Sequence, residues 1–322
     1  MAVWWVVFFR LPYMEVAKWL SKNTRQNSPN NLIVLVMALS DLKSLVEWKE
    51  LCVRYRYDIT RFSIEALGMT PTWQQELLFR SIARDGSRTS VASGHGTGKS
   101  RSAGVVALWH LLFHEDSITL FTAPSITQLR EIVWKEISIC LNLLRTHNLG
   151  WLADYVAIFA EKIYIKGYDK SWHVIAKTAS KHKPESIAGQ HGDNYLLWGD
   201  EGSGIDDKIY DVALGALSHK DNRCVLTSQP TRNAGFFYET HHRLSHFNGG
   251  AWTALTFNGE QSPIVSDEML LEMLEKYGIR DDAGYMIRVR GLFPDLSNEF
   301  LVTRTQLDEC YVGDSLLTGQ HD

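Results

Sequence analysis

The sequence predicts an α/β fold with a mostly parallel central sheet flanked by helices. Three observations support this prediction. From residue 60 onward, short apolar runs alternate with longer stretches of helical periodicity, which is typical of a parallel sheet covered on both faces. A Gly-rich segment joins one of these runs to the next helix, as in a phosphate-binding turn. Another apolar run ends in two consecutive acidic residues.

The alternation assigns the elements in order along the chain. The predicted strands are Thr89–Ala92, Ile118–Thr122, Tyr195–Gly199, Cys224–Thr227 and Trp252–Phe257. The predicted helices cover residues 98–114, 125–147, 206–218 and 236–246. Lys162–Lys166 and Ser171–Lys177 flank a turn and predict a hairpin inserted at the sheet edge. Nearer the N-terminus, Ser40 or Asp41 could cap a helix that runs to about Tyr57, with near-helical spacing at Leu42, Leu45, Val46, Lys49 and Val53.

Composition places the chain among folded proteins. It has 322 residues, of which 45% are hydrophobic and 22% charged, so a disordered chain is excluded. The formal charge of −4 argues against coating nucleic acid by charge alone, but it leaves room for a local basic groove. Four widely spaced cysteines without a CxxC pair argue against a zinc site and favour a reducing compartment. The apolar run Val3–Phe9 is too short to span a membrane, so no membrane partner is expected.

The most informative segment lies between the first predicted strand and the helix that follows it. It consists of Ser93, Gly94, His95, Gly96, Thr97, Gly98, Lys99 and Ser100. It matches G-x-x-x-x-G-K-[ST] except that a serine replaces the first glycine. The glycines let the backbone N–H groups point inward and form an anion cradle at a helix N-terminus.

All eight residues of this segment are therefore candidates for ATP binding. Lys99 would reach the β- and γ-phosphates, and Ser100 would ligate Mg²⁺. His95 is interpreted as a loop residue that the geometry tolerates, not as a ligand. The alternative is a Gly-rich turn before an ordinary helix.

The two consecutive acids supply the second half of a hydrolytic site. Asp200 would hold Mg²⁺, and Glu201 would polarise the attacking water as general base. A second acid is expected in hydrolytic motors, whereas kinases and small GTPases usually lack it. The alternative is an exposed acidic turn after a strand.

Two further segments carry polar residues at positions suited to ATP. Trp73 could pack near the base and Gln74 could pair with the adenine edge, unless they only start a capped helix. Thr227, Ser228 and Gln229 end a strand and could sense loss of the γ-phosphate, unless they form an ordinary turn.

A cation from a neighbouring subunit would stabilise the charge that develops on the phosphates. The candidates for this trans-acting cation are Arg130, Lys181 and Lys183. Each could equally be a solvated surface charge.

In this order, the motifs resemble the large subunit of a tailed-phage terminase, the ATPase of the DNA-packaging motor. The resemblance covers residues 60 to about 305. It rests on Trp73-Gln74, the segment 93–100, Thr122-Ala123-Pro124, Ile187-Ala188-Gly189, the run from Asp200 to Ile205 and the run from Gln229 to Phe237.

The resemblance implies a P-loop NTPase of the additional-strand, catalytic-Glu type that uses ATP and Mg²⁺. It implies a homo-oligomeric ring on the capsid that translocates double-stranded DNA. Its partners would be the portal protein and the small terminase subunit, in the cytoplasm of the bacterial host. A nucleotide-binding regulatory module with little turnover, or a helicase-type ATPase, remains an alternative. Mere binding does not require Glu201, and a two-lobe helicase needs a second motor domain.

The resemblance also divides the chain. Residues 1–58 would be an N-terminal appendage of unknown role, and residues 59–305 the ATPase domain. Residues 306–322 would be a linker or tail at the point where the family's nuclease domain begins. We therefore expect no nuclease activity from this chain alone.

Overall fold

The computed structural model describes residues 41–147, 149–178 and 192–294. The strands of this part are β1 Arg88–Ser93, β2 Ile118–Ala123, β3 Val156–Ile158, β4 Lys162–Ile165, β5 His173–Thr178, β6 Tyr195–Asp200, β7 Arg223–Ser228 and β8 Thr253–Phe257. The helices are α1 Val46–Tyr55, α2 Ile59–Leu67, α3 Trp73–Ile82, α4 Lys99–Phe113, α5 Ile126–Thr146, α6 Gly150–Ala153, α7 Asp207–Gly215, α8 Phe236–His241, α9 Asp267–Tyr277 and α10 Ala283–Tyr285. A π-helical turn, Met286–Arg290, follows α10.

The eight strands form one sheet in the order β3-β4-β5-β2-β6-β7-β1-β8. Six neighbouring strands, in the sheet order β5-β2-β6-β7-β1-β8, are parallel to one another. At one edge, β4 pairs antiparallel with β5 and β3 pairs antiparallel with β4. The predicted α/β fold is confirmed, and so are all five predicted strands, within one residue at each end.

The edge hairpin is confirmed as β4 and β5, but the sequence missed a third strand. β3 has only three residues, too few for a periodic signal, and it pairs with β4. β5 pairs in parallel with β2 and so joins the hairpin to the main sheet. The predicted helix 236–246 ends early, at His241, because the chain turns back into the bridge between Ser245 and Trp252 that leads into β8.

The core is organised around α4, which is buried from Ser102 to Phe113. Two indole N–H groups form hydrogen bonds that join α1 to α4. Trp48 donates to the Leu112 carbonyl at 2.7 Å, and Trp109 donates to the Tyr55 carbonyl at 2.7 Å. The residues around position 50 therefore pack directly on the core. The boundary at residue 58 stays a prediction.

The expected apolar face of the first helix was right at Leu42, which is buried, but wrong at two valines. Val46 and Val53 are 63% and 88% exposed, whereas Trp48 and Tyr55 are buried. Burying two large aromatic side chains removes more apolar area from water than burying two valines, so the helix presents its aromatic face to α4.

The strand order brings distant segments to one edge of the sheet. β7 lies between β1 and β6, and all three are parallel. Asp200 at the end of β6 aligns with Thr227, and Ser228 aligns with Ala92 at the end of β1. The Gly-rich loop and the acidic pair therefore follow strands that end at the same edge. This is the edge where open α/β sheets bind ligands.

In the described part of the chain, no helix is both long enough and apolar enough to cross a membrane.

Two histidines in the core predict a loss of stability in acid. His110 and His114 are fully buried, and neither ring nitrogen of His114 has a hydrogen-bond partner among the described residues. Burial holds the pKa of His114 well below its usual 6.5, and the charges of His110, Arg223 and Arg56 act in the same direction. Stability is therefore fully present above about pH 6.5 and falls as the pH drops below that value, because only the unfolded chain then takes up the proton.

His114→Phe should weaken this dependence. Between pH 7.5 and pH 5.5 the wild-type chain should lose about 1.4 kcal/mol more unfolding free energy than the variant, which lacks one titrating group. Urea denaturation at the two pH values measures both losses. Equal losses would show that His114 is not held neutral in the folded chain.

Candidate nucleotide site at the carboxyl edge of the sheet

The first half of the Gly-rich loop is held by backbone contacts. The Gly94 N–H donates to the Phe257 carbonyl at 3.0 Å, and the His95 N–H donates to the Arg288 carbonyl at 2.7 Å. A Cβ on Gly94 would lie 2.1 Å from the Val289 carbonyl oxygen, so only glycine fits there. The end of β8 and the π-helical turn thus fix the backbone position of the first half of the loop.

The second half of the loop leaves its backbone donors free. The N–H groups of residues 96–100 donate to no acceptor in the described part of the chain. Gly96 and Gly98 have φ of 70° and 87°, a region that favours glycine and turns successive N–H groups toward one side. These five free donors lie just before and at the start of α4, as an anion cradle would require, and anion binding there stays a prediction.

Lys99 lies folded against this loop. Its Nζ donates to Ser93 Oγ at 2.8 Å and to the Gly94 carbonyl at 2.9 Å. Burial lowers the pKa of Lys99 to about 8, and nearby Asp200 opposes this shift. The serine that replaces the first glycine therefore accepts a hydrogen bond from the lysine, a contact the sequence pattern did not reveal.

Asp200 is held by its neighbour strand. Thr227 Oγ1 donates to Asp200 Oδ1 at 2.7 Å and itself accepts the Trp198 indole N–H at 3.3 Å. Asp200 Oδ2 and the Ser100 hydroxyl have no hydrogen-bond partner among the described residues. Carboxylate and hydroxyl oxygens are the ligands that Mg²⁺ prefers, so these residues fit the expected metal.

Glu201 has an unusual backbone conformation. Its φ is 52°, which non-glycine residues rarely adopt, and its side chain is exposed. The turn after it is tied to the end of β7: the Ser203 N–H donates to Ser228 Oγ at 3.0 Å, and Ser203 Oγ donates to the Gln229 carbonyl at 2.9 Å. These contacts maintain a local strain of about 1–3 kcal/mol, a cost often found at functional positions.

Gln229 connects the end of β7 with the Gly-rich loop. Its Nε2 lies 2.9 Å from His95 Nε2 and 3.1 Å from His95 Nδ1. Burial lowers the pKa of His95, and the positive charges of Lys99, Arg288 and Lys276 lower it further. His95, interpreted from the sequence as a tolerated loop residue, is thus the contact between the loop and the segment 227–229.

At the start of α3, Trp73 and Gln74, the residues expected near the adenine base, bond to backbone carbonyls. Trp73 is 46% exposed and donates to the Gln261 carbonyl at 3.0 Å. Gln74 is fully buried and donates to the Asn258 carbonyl at 2.9 Å, while its Oε1 has no partner among the described residues. Both residues bond to the segment that follows β8, and their contact with adenine stays a prediction.

Gln75, which the sequence analysis did not select, touches the loop directly. Its Nε2 donates to the Gly98 carbonyl and to Ser102 Oγ, each at 3.2 Å. Its Oε1 accepts the Thr72 N–H, completing a capping box at the start of α3. The Thr-x-x-Gln spacing is a sequence signal that could have identified Gln75 as a cap, but not its contact with Gly98.

Of the proposed trans-acting cations, Arg130 lies in the described part of the chain. Arg130 is the fifth residue of α5, and its Nη1 lies 3.8 Å from Glu161 Oε1. Lys181 and Lys183 lie outside the described residues. The identity of the cation therefore stays a prediction.

Comparison with known proteins assigns the family. A probable terminase large subunit of Enterobacteria phage P7 is 38% identical over 265 residues, which make up 81% of this chain. This chain belongs to the family of phage terminase large subunits. The matched part of this chain spans about half of that relative, 53% of its length. No protein-family model matches the chain.

Solved terminases share the fold. The large terminase of bacteriophage HK97 superposes with a TM-score of 0.56 at 14% identity, over 73% of this chain and 54% of that one. The ATPase domain of the large terminase of Thermus phage P74-26 gives a TM-score of 0.52 at 18% identity, over 71% of this chain and 96% of that domain. The chain thus has the fold of a terminase ATPase domain.

Replacing Gln75 tests how α3 supports the loop. Gln75→Ala should lower the unfolding free energy by about 1–3 kcal/mol, because it leaves the buried Thr72 N–H without an acceptor and removes two bonds to α4 and the loop. Glu76→Ala on the same helix removes only an exposed ion pair with Arg80 and should cost roughly 0–1 kcal/mol. Urea denaturation of both variants gives the comparison, and equal costs would contradict the structural role of Gln75.

Proposed function

We propose that this chain is the ATP-hydrolysing motor part of a terminase large subunit, which translocates double-stranded DNA into a procapsid. The observation that carries the proposal is the row of five free N–H groups at residues 96–100, beside Lys99 and one strand away from Asp200. A row of donors with a buried cation is complementary to the phosphates of a nucleotide. The relative from phage P7 and the terminase ATPase-domain fold support the same conclusion.

Mg²⁺ would be held by Asp200 and the Ser100 hydroxyl, together with the phosphates. When bound, it supplies positive charge that neutralises the phosphate oxygens. Thr227 keeps Asp200 Oδ1 occupied by a hydrogen bond at 2.7 Å, which leaves Oδ2 as the oxygen available for the metal or its water.

Glu201 would orient a water molecule and accept its proton during attack on the terminal phosphate. Lys99 would leave Ser93 and Gly94 and donate to the phosphates instead. The exchange is favourable because phosphate oxygens carry a full charge, and a charge-assisted hydrogen bond is roughly twice as strong as a neutral one.

Loss of the terminal phosphate would be transmitted through β7. Ser228 contacts the turn after Glu201, and Gln229 contacts both that turn and His95. A shift of the loop or of the acidic turn would therefore move the segment 227–229. A shift of Asp200 would also move Thr227, which is hydrogen-bonded to it.

The finer assignments follow from this function. Residues 59–305 would form the motor domain, preceded by an appendage at 1–58 and followed by a linker or tail at 306–322. Several copies would form a ring on the portal protein, with the small terminase subunit delivering the DNA in the host cytoplasm. A trans-acting cation, with Arg130, Lys181 and Lys183 as candidates, would stabilise the transferring phosphate, a contribution of about 10³–10⁵ in rate where it is known.

Glu201→Gln should abolish ATP hydrolysis but leave nucleotide binding nearly intact, because the amide keeps the size and polarity of the side chain but cannot accept the proton. Steady-state phosphate release, with and without duplex DNA, measures the first effect, and titration with a fluorescent ATP analogue measures the second. Glu50→Gln, at an exposed position on α1, is the matched control and should behave as wild type.

Lys99→Ala in the same assays should lose binding itself, because a charged donor to the phosphates disappears. Hydrolysis at the wild-type rate by Glu201→Gln would exclude the assignment of the base. Wild-type nucleotide affinity in Lys99→Ala would exclude the assignment of the site.

A further inference from the structure

The π-helical turn Met286–Arg290 is seated on the Gly-rich loop. The Arg288 carbonyl accepts the His95 N–H at 2.7 Å. Where the chain leaves the turn, a Cβ on Gly291 would lie 2.7 Å from the Gly94 nitrogen. The approach of the two backbones is thus so close that neither Gly94 nor Gly291 tolerates a side chain.

Buried residues on both sides fix the position of Arg288. Val289 and Tyr285 are each 1% exposed, and the Tyr285 hydroxyl donates to Glu260 Oε1 at 3.0 Å. The backbone of Arg288 is therefore held rigidly, although its side chain is exposed.

Arg288 differs from the other arginines around it in having no acidic partner. Arg280 pairs with Glu260 at 3.1 Å, and Arg290 pairs with Glu260 at 3.6 Å and with Asp281 at 3.4 Å. Within residues 41–147, 149–178 and 192–294, no carboxylate lies within ion-pair distance of Arg288. An unpaired guanidinium on a rigid turn is a ready site for an anion.

The backbone of Arg288 meets the loop at His95, because its carbonyl accepts the His95 N–H at 2.7 Å. The positive charge of Arg288 is also close enough to lower the pKa of His95, after burial and the charge of Lys99. The His95 ring contacts Gln229, at the end of the strand next to Asp200 and Glu201. The opposite side of the loop, at Gly98, faces Gln75 and Ile264 instead.

We propose that Arg288 binds the terminal phosphate of ATP held by the loop of the same chain; this rests on the function proposed above. The guanidinium would donate to oxygens of the γ-phosphate, which ADP lacks. Because the Arg288 carbonyl is bonded to the loop, the turn and the loop would respond together when that phosphate leaves.

The test is the affinity of the full chain for two nucleotides in the presence of Mg²⁺. Isothermal titration with ADP and with adenylyl imidodiphosphate, which is not hydrolysed, gives both dissociation constants. Arg288→Ala should weaken the triphosphate analogue about 10-fold to 100-fold, as expected for one charged hydrogen-bonding contact, and should change ADP less than about twofold.

Two further variants control for charge and folding. Arg280→Ala removes an exposed arginine that already has a carboxylate partner and should leave both affinities within about twofold of wild type. Arg288→Lys keeps the charge and should recover part of the triphosphate affinity. Circular dichroism confirms that each variant is folded.

The outcomes separate this inference from the function on which it rests. If the wild-type chain binds neither nucleotide, the proposed function itself is wrong, and this inference falls with it. If the wild-type chain binds both, but Arg288→Ala weakens both equally or neither, Arg288 does not contact the terminal phosphate and only this inference is overturned.

Discussion

The parallel hydrogen bonding of β1, β7 and β6 is the constraint on which the rest of the site depends. This ladder sets Ala92 beside Ser228 and Thr227 beside Asp200, so the loop after β1 and the acids after β6 leave the sheet at one edge. A one-residue shift of β7 would turn Thr227 to the opposite face of the sheet and remove its bond to Asp200. The register therefore fixes both halves of the site.

At this edge, some backbone N–H groups of the Gly-rich loop are bonded within the fold and others are free. The Gly94 and His95 N–H groups are used by carbonyls of β8 and of the π-helical turn, which hold the loop open. The donors from residue 96 to residue 100 are left free. Lys99 bonds to Ser93 and Gly94, and in the proposed function it would exchange both bonds for bonds to the phosphates. The part that is fixed in advance is the loop backbone, which reduces the rearrangement that binding would require.

The sequence predicted the features that depend on local pattern. The five main strands were found because each contains a short apolar run, even in β8, which is only partly buried. The loop and the acidic pair were found because residue type and spacing together identify them. Contacts between distant segments were missed. The bond of Gln75 to Gly98 joins residues 23 positions apart, and Arg288 reaches His95 from almost 200 residues away along the chain. The orientation of α1 was wrong because the packing of Trp48 against α4, not the spacing of valines, decides it.

A crystal structure of this chain with Mg²⁺ and a non-hydrolysable ATP analogue tests the central claim most directly. The account predicts that the phosphates lie on the N–H groups of residues 96–100, with Lys99 turned toward them and the metal between Ser100 and Asp200. A nucleotide bound elsewhere, or Lys99 still bonded to Ser93 and Gly94 at saturating ligand, would contradict it.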